Sequence, residues 1–220
     1  MSIENQHPFW GSLSPLGGLS GAGLLIMASA RLAWAVTVAG GVIWVYTLSA
    51  LAVSFLSSDA CRKIFPVRGR KIIFTCLAYF FGSAYLLIFW LLCPFAALEV
   101  FLPLMLVPLF CASSSLCDNI LFSKKNHPDI EESFSRAFSL AAVLSLLIIA
   151  FSIIREPLAY CSLSLPGTHR GIVKIISFKN GAFFPIGIFT SSAGALLLLG
   201  YFTGLYRYFK NENFNGEAEK

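Results

Sequence analysis

The residues of this sequence that could carry out chemistry are few, and most of them stand apart from one another. The six cysteines include no Cys-x-x-Cys pair, and the spacing of Cys111 and Cys117 does not suit two thiolates on one face of a helix. The three histidines, His7, His127 and His169, lie in predicted loops or the N-terminal tail, and there is no His-Glu-x-x-His pattern. A zinc site within this chain therefore has little support.

Motifs of nucleotide-binding and hydrolytic proteins are also missing from the sequence. There is no Gly-x-x-x-x-Gly-Lys-Ser/Thr phosphate loop, no Gly-x-Gly-x-x-Gly after a strand and no Gly-x-Ser-x-Gly turn. The net charge of +5 is dispersed over predicted loops, which argues against binding to nucleic acid.

The remaining residues of interest are charged side chains that border long intervals without any charge. Lys, Arg, Asp and Glu are missing between positions 31 and 59, 71 and 99, 99 and 118, 136 and 155, and 179 and 207. A helix needs about 20 apolar residues to cross a bilayer, and each interval is about that long or longer. The chain is 57% hydrophobic and 12% charged, whereas a soluble domain has about 25% charged residues. Because the apolar runs are continuous and do not alternate with polar residues, the sequence predicts an all-α polytopic membrane protein.

Six transmembrane helices account for nearly the whole chain. They are predicted at 15–30, 32–56, 72–92, 100–115, 135–154 and 182–206. Residues 1–14 form a polar N-terminal segment, 15–208 a single membrane domain with halves at about 15–96 and 97–208, and 209–220 a polar tail expected to be disordered. No Lys or Arg precedes the first apolar run, so a cleaved signal peptide is not expected.

The basic residues between the helices indicate the orientation. With a cytoplasmic N-terminus, eleven of the sixteen Lys and Arg residues lie on the inside and five on the outside. Most of the difference comes from the cluster at 62–71. The positive-inside rule therefore predicts both termini in the cytoplasm. The expected location is a bacterial inner membrane.

The first and fourth predicted helices are short and contain residues that weaken or kink helices. Gly21 and Gly23 lie in the first, and Pro103 and Pro108 lie in the fourth. Each half has three helices, an odd number, so the matching positions predict two inverted three-helix repeats with interrupted helices one and four. Such paired interruptions indicate a site near the membrane midplane. The alternative is that the glycines only permit close helix packing.

Four charged residues lie at predicted helix ends on the outer side. Arg31 lies between the first two helices, Glu99 opens the fourth, and Arg155 and Glu156 close the fifth. Ionisable residues near the bilayer indicate function, so the two glutamates could serve as waypoints for a cation. The alternative is that all four lie at the level of the lipid headgroups, which the long arginine side chains can reach.

The longest outer connection, residues 155–181, follows the fifth helix. Its stretch Gly171–Lys179 (GIVKIISFK) mixes isoleucine and valine with two lysines, which suits a short helix in the membrane interface. An ordinary loop with apolar packing is the alternative. Cys93 and Cys161 both lie on this side, where a disulfide is permitted, and the sequence leaves open whether they meet.

Three stretches resemble small membrane subunits of the Rnf and Nqr complexes. Phe101–Pro108 (FLPLMLVP) is similar to that family's FIPLIVVN stretch, and Ile154–Gly167 is similar to its LREI..GTLF..G stretch after the fifth helix. Phe184–Phe189 looks like the start of its last helix. The resemblance covers roughly 13–208, and the long outer loop favours the Rnf E or Nqr D type. Six helices in an inverted repeat, with half-helices one and four, are also that family's architecture.

The resemblance implies a subunit of a complex that passes electrons between NADH and ferredoxin or quinone while moving Na⁺ or H⁺. In the family, two pseudo-symmetric sister subunits each give one Cys from the first helix and one from the fourth to a shared 2Fe–2S cluster. Here Ala22 or Gly21 occupies the first of these positions and Leu109 the second, with Cys111 two residues later. We therefore expect this chain alone to bind no cluster, because Cys111 offers at most one ligand.

The expected function is that of a non-catalytic subunit with a structural or ion-path role in such a complex. Its partners would be the other membrane subunits, including the sister subunit, and the lipid bilayer. One alternative is a small six-helix transporter component, such as the substrate-binding subunit of a vitamin importer. Against it, the predicted helices show no polar cluster that could hold a substrate. A membrane scaffold or assembly protein is the other alternative.

Overall fold

Helices form most of the protein, with one β-hairpin near the C-terminal end. The computed structural model describes residues 19–56, 67–112, 130–167, 171–177 and 186–218. The elements are α1 (Leu19–Ala28), α2 (Leu32–Leu56), α3 (Val67–Leu92), α4 (Pro94–Cys111), α5 (Ile130–Tyr160), β1 (Ser162–Pro166), β2 (Ile172–Ser177), a 3₁₀ turn (Gly187–Thr190) and α6 (Ser192–Ala218).

Four helical segments within the described ranges are long and apolar enough to cross a membrane. They are Leu32–Phe55, Ile72–Leu92, Pro94–Cys111 and Ala137–Tyr160. Helix α1 has 10 residues, and the apolar part of α6, Ser192–Leu205, is also shorter than a span. The prediction of a helical membrane protein is confirmed at this level, whereas six spans in an inverted repeat stay a prediction.

Helix α2 is the centre of the bundle. Of its apolar segment, 61% is buried inside the protein, compared with 17% for α3. It packs against α3, α4 and α5 through small and β-branched residues, and hydrogen bonds cross the helix contacts. Ser145 on α5 donates to the carbonyl of Ala39 at 3.0 Å, and the Tyr85 hydroxyl on α3 donates to the carbonyl of Thr37 at 2.9 Å. Such bonds satisfy polar groups where lipid offers no partner.

Helix α4 is short, as predicted. The sequence also predicted an interruption, but the helix is continuous from Pro94 to Cys111. Pro103 and Pro108 both lie inside it and are buried. Prolines are tolerated in membrane helices where neighbouring helices pack around the altered backbone. Gly82 on α3 provides that room, because a Cβ there would lie 2.8 Å from Cγ of Pro108.

The first and fourth helices are in contact. A Cβ at Gly23 of α1 would lie 3.1 Å from the Phe110 ring of α4. This contact is ordinary close packing permitted by glycine, which agrees with the alternative reading of the glycines. The position of the contact relative to a membrane midplane stays a prediction.

Helix α5 extends beyond both predicted ends. The sequence prediction ended this helix at residue 154, with Arg155 and Glu156 at the membrane surface, but the helix continues to Tyr160. Helix α6 likewise runs to Ala218 through the polar tail that was expected to be disordered from 209. A helix that is already nucleated gains one hydrogen bond for each residue it adds, so a polar extension costs little. The predicted N-terminal segment 1–14 lies outside the described residues.

An antiparallel hairpin replaces the predicted interfacial helix. β1 pairs with β2, and Ser164 lies opposite Lys174. The stretch is rich in isoleucine and valine, which favour a strand over a helix, so the helical reading of Gly171–Lys179 is wrong. Among the described cysteines there is no disulfide, and Cys93 and Cys161 are therefore not bonded to each other.

Candidate functional site

Arg155 and Glu156 are the two charged side chains buried in the described part of the chain. Each is 1% exposed, although they lie near the C-terminal end of a helix that is long and apolar enough to cross a membrane. Burying a charge is costly unless hydrogen bonds and opposite charges compensate for lost water. Their partners therefore indicate what this site does.

The Arg155 guanidinium bonds the ends of two helical segments. Its Nη1 donates to the carbonyl of Ile26 at 2.8 Å and to Oγ of Ser29 at 2.9 Å. Its Nε donates to the carbonyl of Phe189 at 2.9 Å, and its Nη2 donates to that of Ser191 at 2.9 Å. A longer bond of 3.4 Å joins Nη2 to the carbonyl of Thr190.

Most of these acceptors are backbone carbonyls at the ends of helical segments. Ile26 lies in the last turn of α1, and Phe189 lies in the 3₁₀ turn before α6. The final carbonyls of a helix have no intrahelical donor and carry partial negative charge. The planar guanidinium satisfies several of them at once, which a lysine could not do with the same geometry.

Glu156 serves the opposite kind of helix end. Its Oε2 accepts a hydrogen bond of 2.6 Å from the backbone N–H of Leu32, the first residue of α2. Its Oε1 accepts another of 2.6 Å from the Ser164 hydroxyl on β1. A carboxylate is favourable at a helix N-terminus, where N–H groups are unpaired and the helix dipole is positive.

Two consecutive residues of α5 therefore hold both sides of the α1–α2 turn. We call this arrangement the Arg155–Glu156 cap, comprising the two side chains with Ser29 and Ser164. The turn itself has no glycine at its helix end and no Asn or Asp before α2, so local capping is weak. Arg155 and Glu156, far away in the chain, supply the capping hydrogen bonds that the residues of the turn do not provide.

The other two predicted charged residues form a separate, outer pair. Arg31 Nη1 lies 3.8 Å from Glu99 Oε2, and the two side chains are 39% and 45% exposed. The Arg31 guanidinium also lies 5.3 Å from the centre of the Tyr160 ring. An exposed ion pair of this kind contributes about 0–1 kcal/mol to stability. Glu99 therefore lies at the surface, apart from the buried cap.

Gly171 joins the hairpin to this outer pair. Its φ of +68° is a left-handed conformation, which glycine adopts without strain. A Cβ there would also lie 2.8 Å from Oε1 of Glu99. The hairpin turn therefore fits against the first turns of α4 only with glycine at this position.

The residues do not fit the 2Fe–2S cluster that the family resemblance implies. Leu109, at one family ligand position, is 51% exposed on the outside of α4, whereas Cys111 is 1% exposed in the interior. Ala22, at the other, lies in α1 and has no thiol. Among the described residues, no group of three or more His, Cys, Asp or Glu could hold a metal ion.

The interrupted-helix candidates do not join the cap. Gly23, Pro103 and Pro108 take part in helix packing, and Gly21 lies in α1. Sequence reasoning found Arg155 and Glu156 but missed Ser29 and Ser164. Serines at alternate positions 162 and 164 of an otherwise apolar strand were the available signal, because alternate residues share one face.

The geometry thus describes a buried polar site that joins helix ends. Comparisons with protein-family models, with curated proteins and with solved structures find no match to this chain.

Proposed function

We propose that this chain is a non-catalytic membrane subunit of an ion-translocating electron-transport complex of the Rnf/Nqr type, and that its role there is structural. The observation that carries the structural role is the Arg155–Glu156 cap. All three nitrogens of the guanidinium and both oxygens of the carboxylate bond backbone ends or serine hydroxyls. These groups are occupied in holding helices together.

The family assignment is supported by where the resemblance falls. The stretch Ile154–Gly167, which resembles the family's motif, contains both charged residues of the cap and Ser164. Its polar side chains bond α1, α2 and the 3₁₀ turn, so the stretch ties the first half of the chain to the second. A subunit that must keep fixed faces toward several neighbours needs such a connection.

An ion-path role is the less favoured part of the expectation. A cation that bound Glu156 would compete with the Leu32 N–H group and the Ser164 hydroxyl for the carboxylate. Glu99 is half-exposed and paired with Arg31. We therefore assign electron transfer, and the movement of Na⁺ or H⁺, to partner subunits.

The first test is to purify the tagged chain from its native membrane in a mild detergent. We expect a flavin-bearing membrane subunit and an iron–sulfur subunit to co-purify with it, together with a sister subunit. We also expect Cys111→Ser to leave the iron content and the electron-transfer rate of the complex unchanged, because one thiol cannot replace two ligands. Cys76→Ser, at an exposed cysteine of α3, is the matched control. A complex that loses iron only with Cys111→Ser would contradict the structural role.

The orientation gives a second prediction. Because eleven of sixteen basic residues fall on one side, we expect reporters inserted near residues 68 and 168 to lie on opposite sides of the membrane, with 68 in the cytoplasm. An alkaline phosphatase and a fluorescent protein, each active on one side only, measure this. Equal reports from both positions would exclude the proposed topology.

A transporter component is the second candidate, and one observation favours it. The Oγ atoms of Ser49 and Ser152 are buried and have no hydrogen-bond partner among the described residues. Buried polar groups without partners are costly, and a bound polar substrate could satisfy them. Co-purification of an ATPase subunit, in place of flavin and iron–sulfur proteins, would support this candidate.

A further inference from the structure

We propose that the β1–β2 hairpin is a membrane-interface element whose outer face lies against lipid. The proposal concerns a surface that the cap does not use, and it does not depend on the identity of the complex. It begins from the two faces of the hairpin, because residues paired across an antiparallel ladder lie on the same face of the sheet.

The polar face of the hairpin is turned toward the protein. Ser162 and Ser164 of β1 are 4% and 2% exposed, and Ser164 donates to Glu156. Lys174 of β2 is the ladder partner of Ser164 and belongs to the same face. The opposite face must therefore point away from the helices.

That outward face is apolar. Leu163 pairs with Ile176 and Leu165 pairs with Val173, and the two β2 residues are 45% and 41% exposed. Ile175, where the ladder register shifts, is 59% exposed. A hairpin that faced water would present the reverse arrangement, with polar residues outward. An exposed apolar face needs a cover of its own.

The position of the hairpin identifies the bilayer as that cover. β1 starts two residues after Tyr160, where a membrane-length apolar segment ends. At the other end of the hairpin, a Cβ on Gly171 would lie 3.9 Å from Cβ of Phe95 in the first turn of α4. Phe95 and Leu98 are 57% and 70% exposed, so the apolar face of the hairpin continues the apolar surface of a candidate membrane span.

Charge and aromatic placement agree with a lipid partner. Lys174 is exposed, although it lies on the face of the hairpin that carries Ser164. Basic side chains beside an apolar face attract lipid phosphates, and tyrosines are enriched at the same depth. Tyr160, the last residue of α5, is 38% exposed.

The test places an environment-sensitive fluorescent amino acid at Ile176, or at Val173 as a second outer-face position, with Lys174 as the matched control on the same strand. Each variant is reconstituted singly into nanodiscs of phosphatidylcholine and phosphatidylglycerol, with or without bromine atoms on the acyl chains. A fluorophore that emits at longer wavelengths than the native tryptophans reports only the labelled position.

We expect bromolipids to reduce the fluorescence at positions 176 and 173, and aqueous iodide to have little effect there. At position 174 we expect iodide to quench the fluorescence and bromolipids to have little effect. If iodide quenches all three positions equally and bromolipids quench none, the hairpin projects into water and the proposal is wrong. If neither bromolipids nor iodide quench the outer-face positions, protein covers that face, and the proposal is also wrong.

Discussion

Replacing Arg155 with alanine is expected to destabilise the protein by about 1–3 kcal/mol for each buried carbonyl that is left without a partner. The substitution removes the Arg155 donor from the carbonyls of Ile26, Phe189 and Ser191. Of these, the Ser191 carbonyl keeps a bond of 3.3 Å from the Ala195 N–H group. Thermal unfolding in detergent, followed by size-exclusion chromatography of the heated samples, measures the loss.

Two further variants separate the cap from a general effect of charge. Arg155→Lys keeps the positive charge but loses the planar set of donors, so we expect an intermediate loss of stability. Arg31→Ala removes a half-exposed arginine whose ion pair is worth about 0–1 kcal/mol, so we expect little change. Equal losses for Arg155→Ala and Arg31→Ala would show that the buried cap does not stabilise the helix ends.

Replacing Gly194 with alanine is the second change with a large expected effect. A Cβ at this position would overlap the carbonyl oxygen of Ile188 and lie 2.7 Å from Cα of Phe189. Both are backbone atoms of the 3₁₀ turn, so the turn itself must move. We expect a loss of about 1–3 kcal/mol, the usual cost of overpacking, measured by the same unfolding assay.

Gly200→Ala is the matched control on the same helix. No atom lies within 4 Å of a Cβ at Gly200, so the methyl group meets no obstacle. We expect stability to be unchanged or raised by up to about 1 kcal/mol, because alanine favours the helical state. Similar losses at Gly194 and Gly200 would mean that the 3₁₀ turn yields easily to the added methyl group.

The two predicted losses should not be additive. Moving the 3₁₀ turn displaces the Phe189 carbonyl, which accepts from Arg155 Nε. Part of the cost of Gly194→Ala is therefore the loss of a bond that Arg155→Ala has already removed. A double variant that loses the full sum would show that the turn and the cap act independently.

The sequence was most informative for the second helix. The prediction of 32–56 for the second helix coincides with α2, Leu32–Leu56. This helix is uninterrupted by charge, and the bilayer requires its backbone to bond internally. The fifth helix ended too early in the prediction, because Arg155 and Glu156 were taken as residues for the membrane surface. Their burial depends on partners that lie far away in the chain.

The functional residues were found, but their role was not. Arg155 and Glu156 stood out because ionisable residues near a bilayer are rare. The acceptors of Arg155 are mostly backbone carbonyls, and every residue has one, so their participation has no signature in the sequence. The hairpin was missed for a related reason, since its isoleucine and valine residues suit both an interfacial helix and a strand.

The Arg155–Glu156 cap also has a consequence for biosynthesis. The acceptor Ile26 and the donor Arg155 are separated by 129 residues, and translation adds about 5–20 residues per second. The first two helices therefore leave the ribosome on the order of ten seconds before the side chains that complete their connecting turn. During that interval the nascent helical pair must rely on water, lipid headgroups or the insertion machinery to satisfy its open backbone groups. The turn between α1 and α2 is thus completed only after more than half of this sequence has followed it.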